Sequence, residues 1–224
     1  MNELNLDVQT DLLKAIQGYA DGVSFEGKEL KLQDISLSEI QLQTDEIDIN
    51  PFKLLFGEVE LNHPVNAETR IVLKEDDINQ ALKIDLIRNL LYDFLTFKTE
   101  KSIVSMYPKC IQIRLPGNSK IEIDGEIVLN SGQQKQPLDL QANICLKSLS
   151  QPIMLESFKC NVSPGINLML ISALIEKINK LRKSQDFKLK DTAFRINHIQ
   201  VQHGSIILIA QATLQQIPDN IPYW

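Results

Sequence analysis

The chain has 224 residues, of which 43% are hydrophobic and 23% charged, a composition that is typical of folded proteins and excludes wholesale disorder. Its net charge of −6 argues against a general nucleic-acid binder, because basic side chains supply most of the non-specific affinity for phosphate. Three cysteines, Cys110, Cys145 and Cys160, are too few for a disulfide framework and match no zinc spacing. No metal or other cofactor is therefore predicted.

The first residues carry acids where a signal peptide needs bases, and the longest apolar stretch, Leu168–Ile175, is much shorter than the roughly 20 residues of a membrane span. As the sequence stands, it predicts a cytoplasmic or peripheral membrane protein. A start upstream of Met1 would allow an envelope or periplasmic location.

Apolar and polar residues alternate through the first part of the chain, which predicts strands with one apolar and one polar face. The alternation is present at Leu4–Val8, and short runs with shifts of parity follow between Leu30 and Ile49. A longer ladder extends from Val59 to Leu73. Pro64 lies inside this ladder and predicts an edge position or a bulge.

Two helices are predicted next. The first opens at Lys74–Asp77, where acids suit a helix N-terminus, and the second covers about residues 84–97. The apolar stripe of the second helix is either core or a membrane-docking surface. The same alternatives hold for Phe52 and Phe56, beside Asn50 and Pro51. The membrane-docking interpretation comprises Phe52, Phe56, Leu90, Leu91 and Phe94, with Lys180, Arg182 and Lys183.

Alternation then resumes and continues almost to the end of the chain. Turns are predicted at Pro116–Asn118 and at His203–Gly204. The predicted strands lie at Ile111–Leu115, Ile121–Leu129, Leu138–Leu146, Phe158–Val162, Phe194–Val201 and Ile206–Leu214.

A third helix is predicted after Ser163 and Pro164, and from Ile166 to Ile175 its apolar residues surround the axis, so this part must be enclosed. Many one-sided strands and one enclosed helix predict a single α+β domain spanning residues 1–224. Its strongly curved antiparallel sheet would wrap around the long apolar helix as a tubular roll. The apolar groove would be lined by Ile166, Met169, Leu170, Leu174, Leu138, Leu140, Ile206 and Leu208.

Charge is unevenly distributed: residues 1–80 carry 17 acidic and 6 basic side chains, whereas residues 81–224 carry 12 acidic and 17 basic ones. The densest basic segment contains Lys177, Lys180, Arg182, Lys183, Lys188 and Lys190. These bases either complement a helix C-terminus or meet anionic lipid headgroups.

The sequence contains none of the common nucleophile, phosphate-loop or zinc-protease motifs, so we expect no enzyme. A lipid hydrolase would need one of the cysteines beside a histidine, and nothing in the sequence places such a pair together.

Residues 42–67 and 70–82 resemble the LmeA-like phospholipid-binding family of bacteria, which is common in cyanobacteria and actinobacteria. Residues 7–18 and 186–189 are similar to the family pattern as well. The resemblance implies an envelope-type lipid binder with the architecture of tubular lipid-binding proteins. It also implies a helix ahead of the strand at Leu4, which a chain that begins at Met1 would lack.

Two hypotheses of function follow. In the first, the chain binds and transfers a phospholipid or another acyl lipid in its apolar groove and loads it at a membrane. In the second, it is a structural or interaction protein of the cell envelope whose core is filled by its own side chains. The same alternation suits both, and a continuous apolar cavity would distinguish them.

Overall fold

The computed structural model describes residues 3–32, 35–56, 58–98, 103–131, 134–151, 153–161, 171–177, 179, 186–189 and 192–215. The fold is mixed and dominated by antiparallel sheets, as the alternation predicts.

The strands in chain order are β1 (Glu3–Gln9), β2 (Tyr19–Ala20), β3 (Gly22–Leu32), β4 (Ile35–Thr44), β5 (Ile47–Asp48), β6 (Val65–Lys74), β7 (Thr96–Lys98), β8 (Ile103–Gly117), β9 (Lys120–Ser131), β10 (Gln134–Cys145), β11 (Met154–Cys160), β12 (Asp186–Leu189), β13 (Thr192–Gln202) and β14 (Ser205–Leu214). The helices are α1 (Leu12–Ile16), α2 (Pro51–Leu55), α3 (Glu75–Ala81) and α4 (Asp85–Phe94). Residues 171–177 are helical as well.

Two large sheets contain most of the described strands. A seven-stranded sheet has the order β1-β3-β4-β6-β14-β13-β12 and includes a region curled into a half-barrel. A five-stranded sheet has the order β11-β10-β9-β8-β7, and β2 pairs with β5 in a small third sheet. The predicted turns at residues 116–118 and 203–204 lie at the β8–β9 and β13–β14 connections.

Three sequence expectations need adjustment. The predicted ladder from Val59 is shorter than expected, because β6 begins only after Pro64, a residue without the N–H that a strand would use. The helix predicted over residues 84–97 ends at Phe94, and β7 follows it. Of the predicted apolar helix, residues 162–170 lie outside the described residues, so its enclosure by a sheet is not shown.

The five-stranded sheet is packed on one face by a sealed apolar cluster. Its fully or almost fully buried members are Phe97, Val104, Met106, Ile127, Leu129 and Leu138. Ala173, on the helical segment 171–177, packs against this cluster. The ammonium group of Lys177 donates to the carbonyl oxygens of Phe94 at 2.5 Å and Thr96 at 2.6 Å. This lysine therefore caps the end of α4 and fastens the helical segment to it.

The two large sheets meet at their turns, in a region that we call the joint. Pro116 forms an isolated antiparallel bridge with His203, and the Gly204 N–H donates to the Leu115 carbonyl at 2.8 Å. A Cβ on Gly117, which has a φ of +96°, would lie only 3.4 Å from the His203 Cβ. A second buried cluster, with Leu115, Leu146 and Val201 at its centre, fills the joint.

Helix α3 joins the two sheets with polar side chains. The Glu75 carboxylate accepts from the Leu115 N–H at 2.7 Å. The Asn79 amide both donates to the Ile113 carbonyl and accepts from its N–H, at 2.8 Å each. On the other side, Ser38 of β4 donates to the Asp77 carboxylate. The helix thus satisfies backbone groups of β8 while it contacts the seven-stranded sheet.

Leu115→Ala should lower the free energy of unfolding by about 2–5 kcal/mol, because it opens a cavity where only 1% of the leucine is exposed. The measurement is urea unfolding followed by far-UV circular dichroism. The matched control is Leu86→Ala on α4, whose leucine is 60% exposed, with a change of about 0.5 kcal/mol or less expected. Equal midpoints for the two variants would show that the joint adds nothing to stability.

Candidate functional site: an open apolar sheet face and an apolar tip

One face of the seven-stranded sheet is apolar across its strands. The strand register aligns side chains in two neighbouring rows, which we call the apolar face. One row contains Leu6, Phe25, Leu42, Thr69, Ala210 and Ile196. The next row contains Leu4, Ile40, Ile71, Leu208 and Ile199, with Gly27 between Leu4 and Ile40.

The apolar face is more open than the best-covered part of the five-stranded sheet. Every side chain of its two rows is half-buried or exposed, and Leu4 and Leu6 on the edge strand are 60% and 63% exposed. The five-stranded sheet has the same alternation, and there Ile127 and Leu138 are only 1% and 2% exposed, although Leu140 on the same face is half-buried. The two sheets therefore differ in the degree of cover and not in pattern.

Small side chains lie in the middle of the apolar face and beside it. Thr69 pairs with Ala210 within the face, and Ala67 pairs with Ala212 in the adjacent row, on the neighbouring strands β6 and β14. Larger side chains border them on β4, among them Leu42 opposite Thr69. The centre of the face is consequently a shallow trough with apolar walls.

The opposite face of this sheet is mixed and carries most of the polar side chains. It has an open cavity of about 410 Å³ whose lining includes Asn5, Glu26, Glu68 and Arg70 beside the apolar Ile209. The Arg70 guanidinium donates to the Glu39 carboxylate at 2.8 Å, so its charge is already paired. The charged and polar groups in this lining make it a poorer site for an acyl chain than the apolar face.

A second apolar surface lies at the end of the seven-stranded sheet that is remote from the joint. It consists of two one-turn helices, α1 and α2, with Phe56 after α2, and we call it the tip. Its apolar side chains are 71–83% exposed: Leu12, Leu13, Ile16, Phe52 and Phe56. Of these, only Phe52 and Phe56 were predicted as docking residues. The spacing of Leu12, Leu13 and Ile16 on one helical turn was the available signal for the rest.

Close backbone contact holds the two helices of the tip together. The Ile49 N–H donates to the Gly18 carbonyl at 2.9 Å, and a Cβ on Gly18 would lie only 2.3 Å from the Ile49 oxygen. Gly18 has a φ of +85°, so only glycine suits both requirements. Asp11 caps α1 through the Lys14 N–H, and Asn50 accepts from the first N–H groups of α2.

The buried carboxylate of Asp48 forms contacts next to the tip. Asp48 is 6% exposed, accepts from the Asn62 amide at 2.7 Å and lies 3.7 Å from the His63 imidazole. A hydrogen bond to Asp48 raises the pKa of the Tyr19 hydroxyl on the paired strand β2. These contacts fasten β2 to β5, the strands that carry α1 and α2.

The docking residues predicted on helix α4 differ in their exposure. Leu90 is 57% exposed and lies near Leu86, whereas Leu91 and Phe94 are half-buried towards β8. Lys180, Arg182 and Lys183 lie outside the described residues. Lys177 is half-buried at the end of α4, so it is not part of an exposed basic surface.

The predicted groove residues lie in different parts of the structure. Leu208 is on the apolar face, and Ile206 packs at the joint. Leu138 and Leu140 belong to the five-stranded sheet, where Leu138 is sealed in the cluster. Leu174 is half-buried on the helical segment, and Ile166, Met169 and Leu170 lie outside the described residues. The described part of the chain does not bring this set together in one groove.

The described part of the chain contains no group of three or more metal-ligating side chains that could hold an ion. Nor do the described helices include one with the length and apolarity required to cross a bilayer. Cys145 and Cys160 lie in the five-stranded sheet, whereas His198 lies on β13 of the other sheet.

Comparison with protein families gives one match that covers nearly the whole chain. The profile of the LmeA-like phospholipid-binding family matches residues 3–211. No curated protein and no solved structure matches the chain significantly.

Lys177→Met should lower the free energy of unfolding by about 1–3 kcal/mol, because the end of α4 loses hydrogen bonds from a charged donor. Lys109→Met is the control: Lys109 forms an exposed pair with Glu126 at 2.9 Å, and because water screens this pair its loss should be nearly neutral. Urea unfolding measures both. Equal stability of the two variants would contradict the capping role.

The apolar cluster on the five-stranded sheet should protect the thiol of Cys160, which packs against it. Burial raises the pKa of Cys160, whereas Cys110 is exposed. Because the thiolate is the reactive form, maleimide should label Cys110 first at neutral pH, and labelling of Cys160 should become fast only at a higher pH than that of an ordinary thiol. Peptide mass spectrometry measures the rates. Labelling of Cys160 as fast as that of Cys110 would mean that this cluster is open.

Proposed function

The chain belongs to the LmeA-like phospholipid-binding family, and we propose that it holds the acyl chains of a phospholipid against the apolar face. The observation that carries the proposal is the contrast between the two sheets. The five-stranded sheet buries part of its apolar face in one cluster, while the two rows of the apolar face on the seven-stranded sheet remain half-buried or exposed. An acyl chain in the central trough would supply the missing cover.

The size of the face suits this ligand. Each row of the face crosses up to six neighbouring strands, which at about 4.8 Å between strands gives an apolar path of about 24 Å. Removing a 16-carbon chain from water contributes roughly 13 kcal/mol at about 0.8 kcal/mol per methylene, part of which is lost to the costs of binding.

A lipid held this strongly would rarely leave through water. We therefore propose that loading and release require contact with a membrane, and that the protein transfers lipid between membranes as a peripheral protein. The alternative is an interaction protein of the cell envelope. The buried cluster of the five-stranded sheet favours a purely structural role for that sheet. Whether the whole chain holds lipid or is an interaction protein is decided by measuring bound lipid.

The decisive measurement is native mass spectrometry of the purified protein before and after incubation with phosphatidylcholine vesicles. We expect a mass increase of one or a few phospholipids, identified after solvent extraction. A protein that stays at its bare mass under both conditions would refute lipid holding and favour the interaction protein.

Ala210→Phe tests the position of the lipid. The substitution fills the central trough of the apolar face without adding charge, so lipid retention should fall severalfold while circular dichroism stays unchanged. Gln211→Phe is the matched control, because the neighbouring residue of β14 is exposed and its side chain points to the opposite face. Equal retention by both variants would place the lipid elsewhere.

A further inference from the structure

We propose that the tip inserts into the surface of a phospholipid bilayer of low negative charge and that this contact delivers lipid to the apolar face. The inference rests on the proposed function and identifies the surface and the membrane chemistry that it requires. It assigns docking to Leu12, Leu13 and Ile16 as well as to Phe52 and Phe56.

The first argument is the exposure of the tip. Phe56 is 83% exposed and Leu12 is 77% exposed, although both are large apolar side chains. They project from helices of one turn whose polar termini are capped, so the apolar groups can enter an acyl layer while the backbone groups stay satisfied.

The second argument is the size of the tip. A stable protein–protein interface uses about 20–30 residues on each side, whereas α1, α2 and Phe56 together comprise 11 residues of all types. This number is too small for a stable contact with a second copy or another protein. It suits partition into a bilayer, where each buried methylene contributes separately.

The third argument is charge. The segments 7–21 and 45–60 carry eight acidic and two basic side chains. Both bases are already paired, Lys14 with Asp21 at 2.6 Å and Lys53 with Glu58 at 2.9 Å. The surroundings of the tip would therefore be repelled by anionic headgroups and favour zwitterionic ones.

The fourth argument is continuity with the apolar face. Strand β1 ends at Gln9, immediately before α1, and the Asp21 N–H donates to the Gln9 carbonyl at 2.7 Å. Leu4, Leu6 and Val8 on this edge strand are 48–63% exposed. An acyl chain that leaves the bilayer at the tip would thus meet apolar side chains along β1 and then the two rows of the apolar face.

Flotation of the full chain with vesicles tests the proposal. Leu13→Ser with Phe56→Ser removes one large apolar group from each helix, and Phe52→Ser with Phe56→Ser serves as a second variant. The matched control is Leu86→Ser with Leu90→Ser on α4, whose leucines are 60% and 57% exposed on the other sheet. Circular dichroism confirms that the variants are folded.

We expect the wild type and the α4 control to float with phosphatidylcholine vesicles. The fraction of the tip variants that binds the vesicles should be lower by a factor of about ten or more. Adding phosphatidylglycerol to the vesicles should weaken binding at low salt, and added salt should restore it. Unchanged binding of the tip variants, an equal loss in the α4 control, or stronger binding to anionic vesicles would each overturn the proposal.

A second readout separates this inference from the proposed function. Phospholipid supplied as a cyclodextrin complex bypasses the bilayer, so the tip variants should take it up as the wild type does. Ala210→Phe should show the reverse, with normal flotation and poor retention. If flotation depends on the tip but neither the wild type nor any variant retains lipid, docking through the tip would be supported and lipid holding would be refuted. Loss of cyclodextrin uptake in the tip variants would overturn delivery through the tip.

Discussion

The fold depends on one requirement: each alternating strand has an apolar face that must be covered. Part of the five-stranded sheet meets it in one buried cluster that contains Phe97 and Leu138, with Ala173 of the helical segment packed on it. The two rows of the apolar face on the seven-stranded sheet meet it less completely, since Leu42 and Leu208 stay half-buried. The five-stranded sheet is thus the better-packed part of the molecule, and the seven-stranded sheet is the part with apolar surface available for a ligand.

The joint determines how these parts are arranged. Because the turns after Leu115 and Val201 meet, the two sheets are connected through the ends of their strands, and α3 fastens them with Glu75 and Asn79. The tip therefore lies at the far end of the seven-stranded sheet, away from the other sheet. The tip and the joint are thus separated by the length of the strands of the seven-stranded sheet.

The sequence predicted most of the longer strands, the two central turns and the helices at α3 and α4, because alternation and helix periodicity are local signals. It did not predict the short strands β2 and β7 or residues 103–110 of β8. It could not predict which faces are covered: Leu138 and Leu208 occur in the same pattern, yet only Leu138 is sealed, since cover depends on distant elements. Lys177 was assigned to a basic segment, but its partners, Phe94 and Thr96, lie more than 80 residues away in the chain. Leu12, Leu13 and Ile16 were missed because their exposure is a tertiary property.

Strand β1 is the terminal strand of its sheet and pairs only with β3 among the described strands. Its outer backbone groups are thus a template on which a strand from another molecule could add, and Leu6 and Val8 would favour such growth. Asp7 between them places a charge in the path of that pairing. The edge that would guide a lipid is consequently also the edge at which the protein has to resist fibril formation.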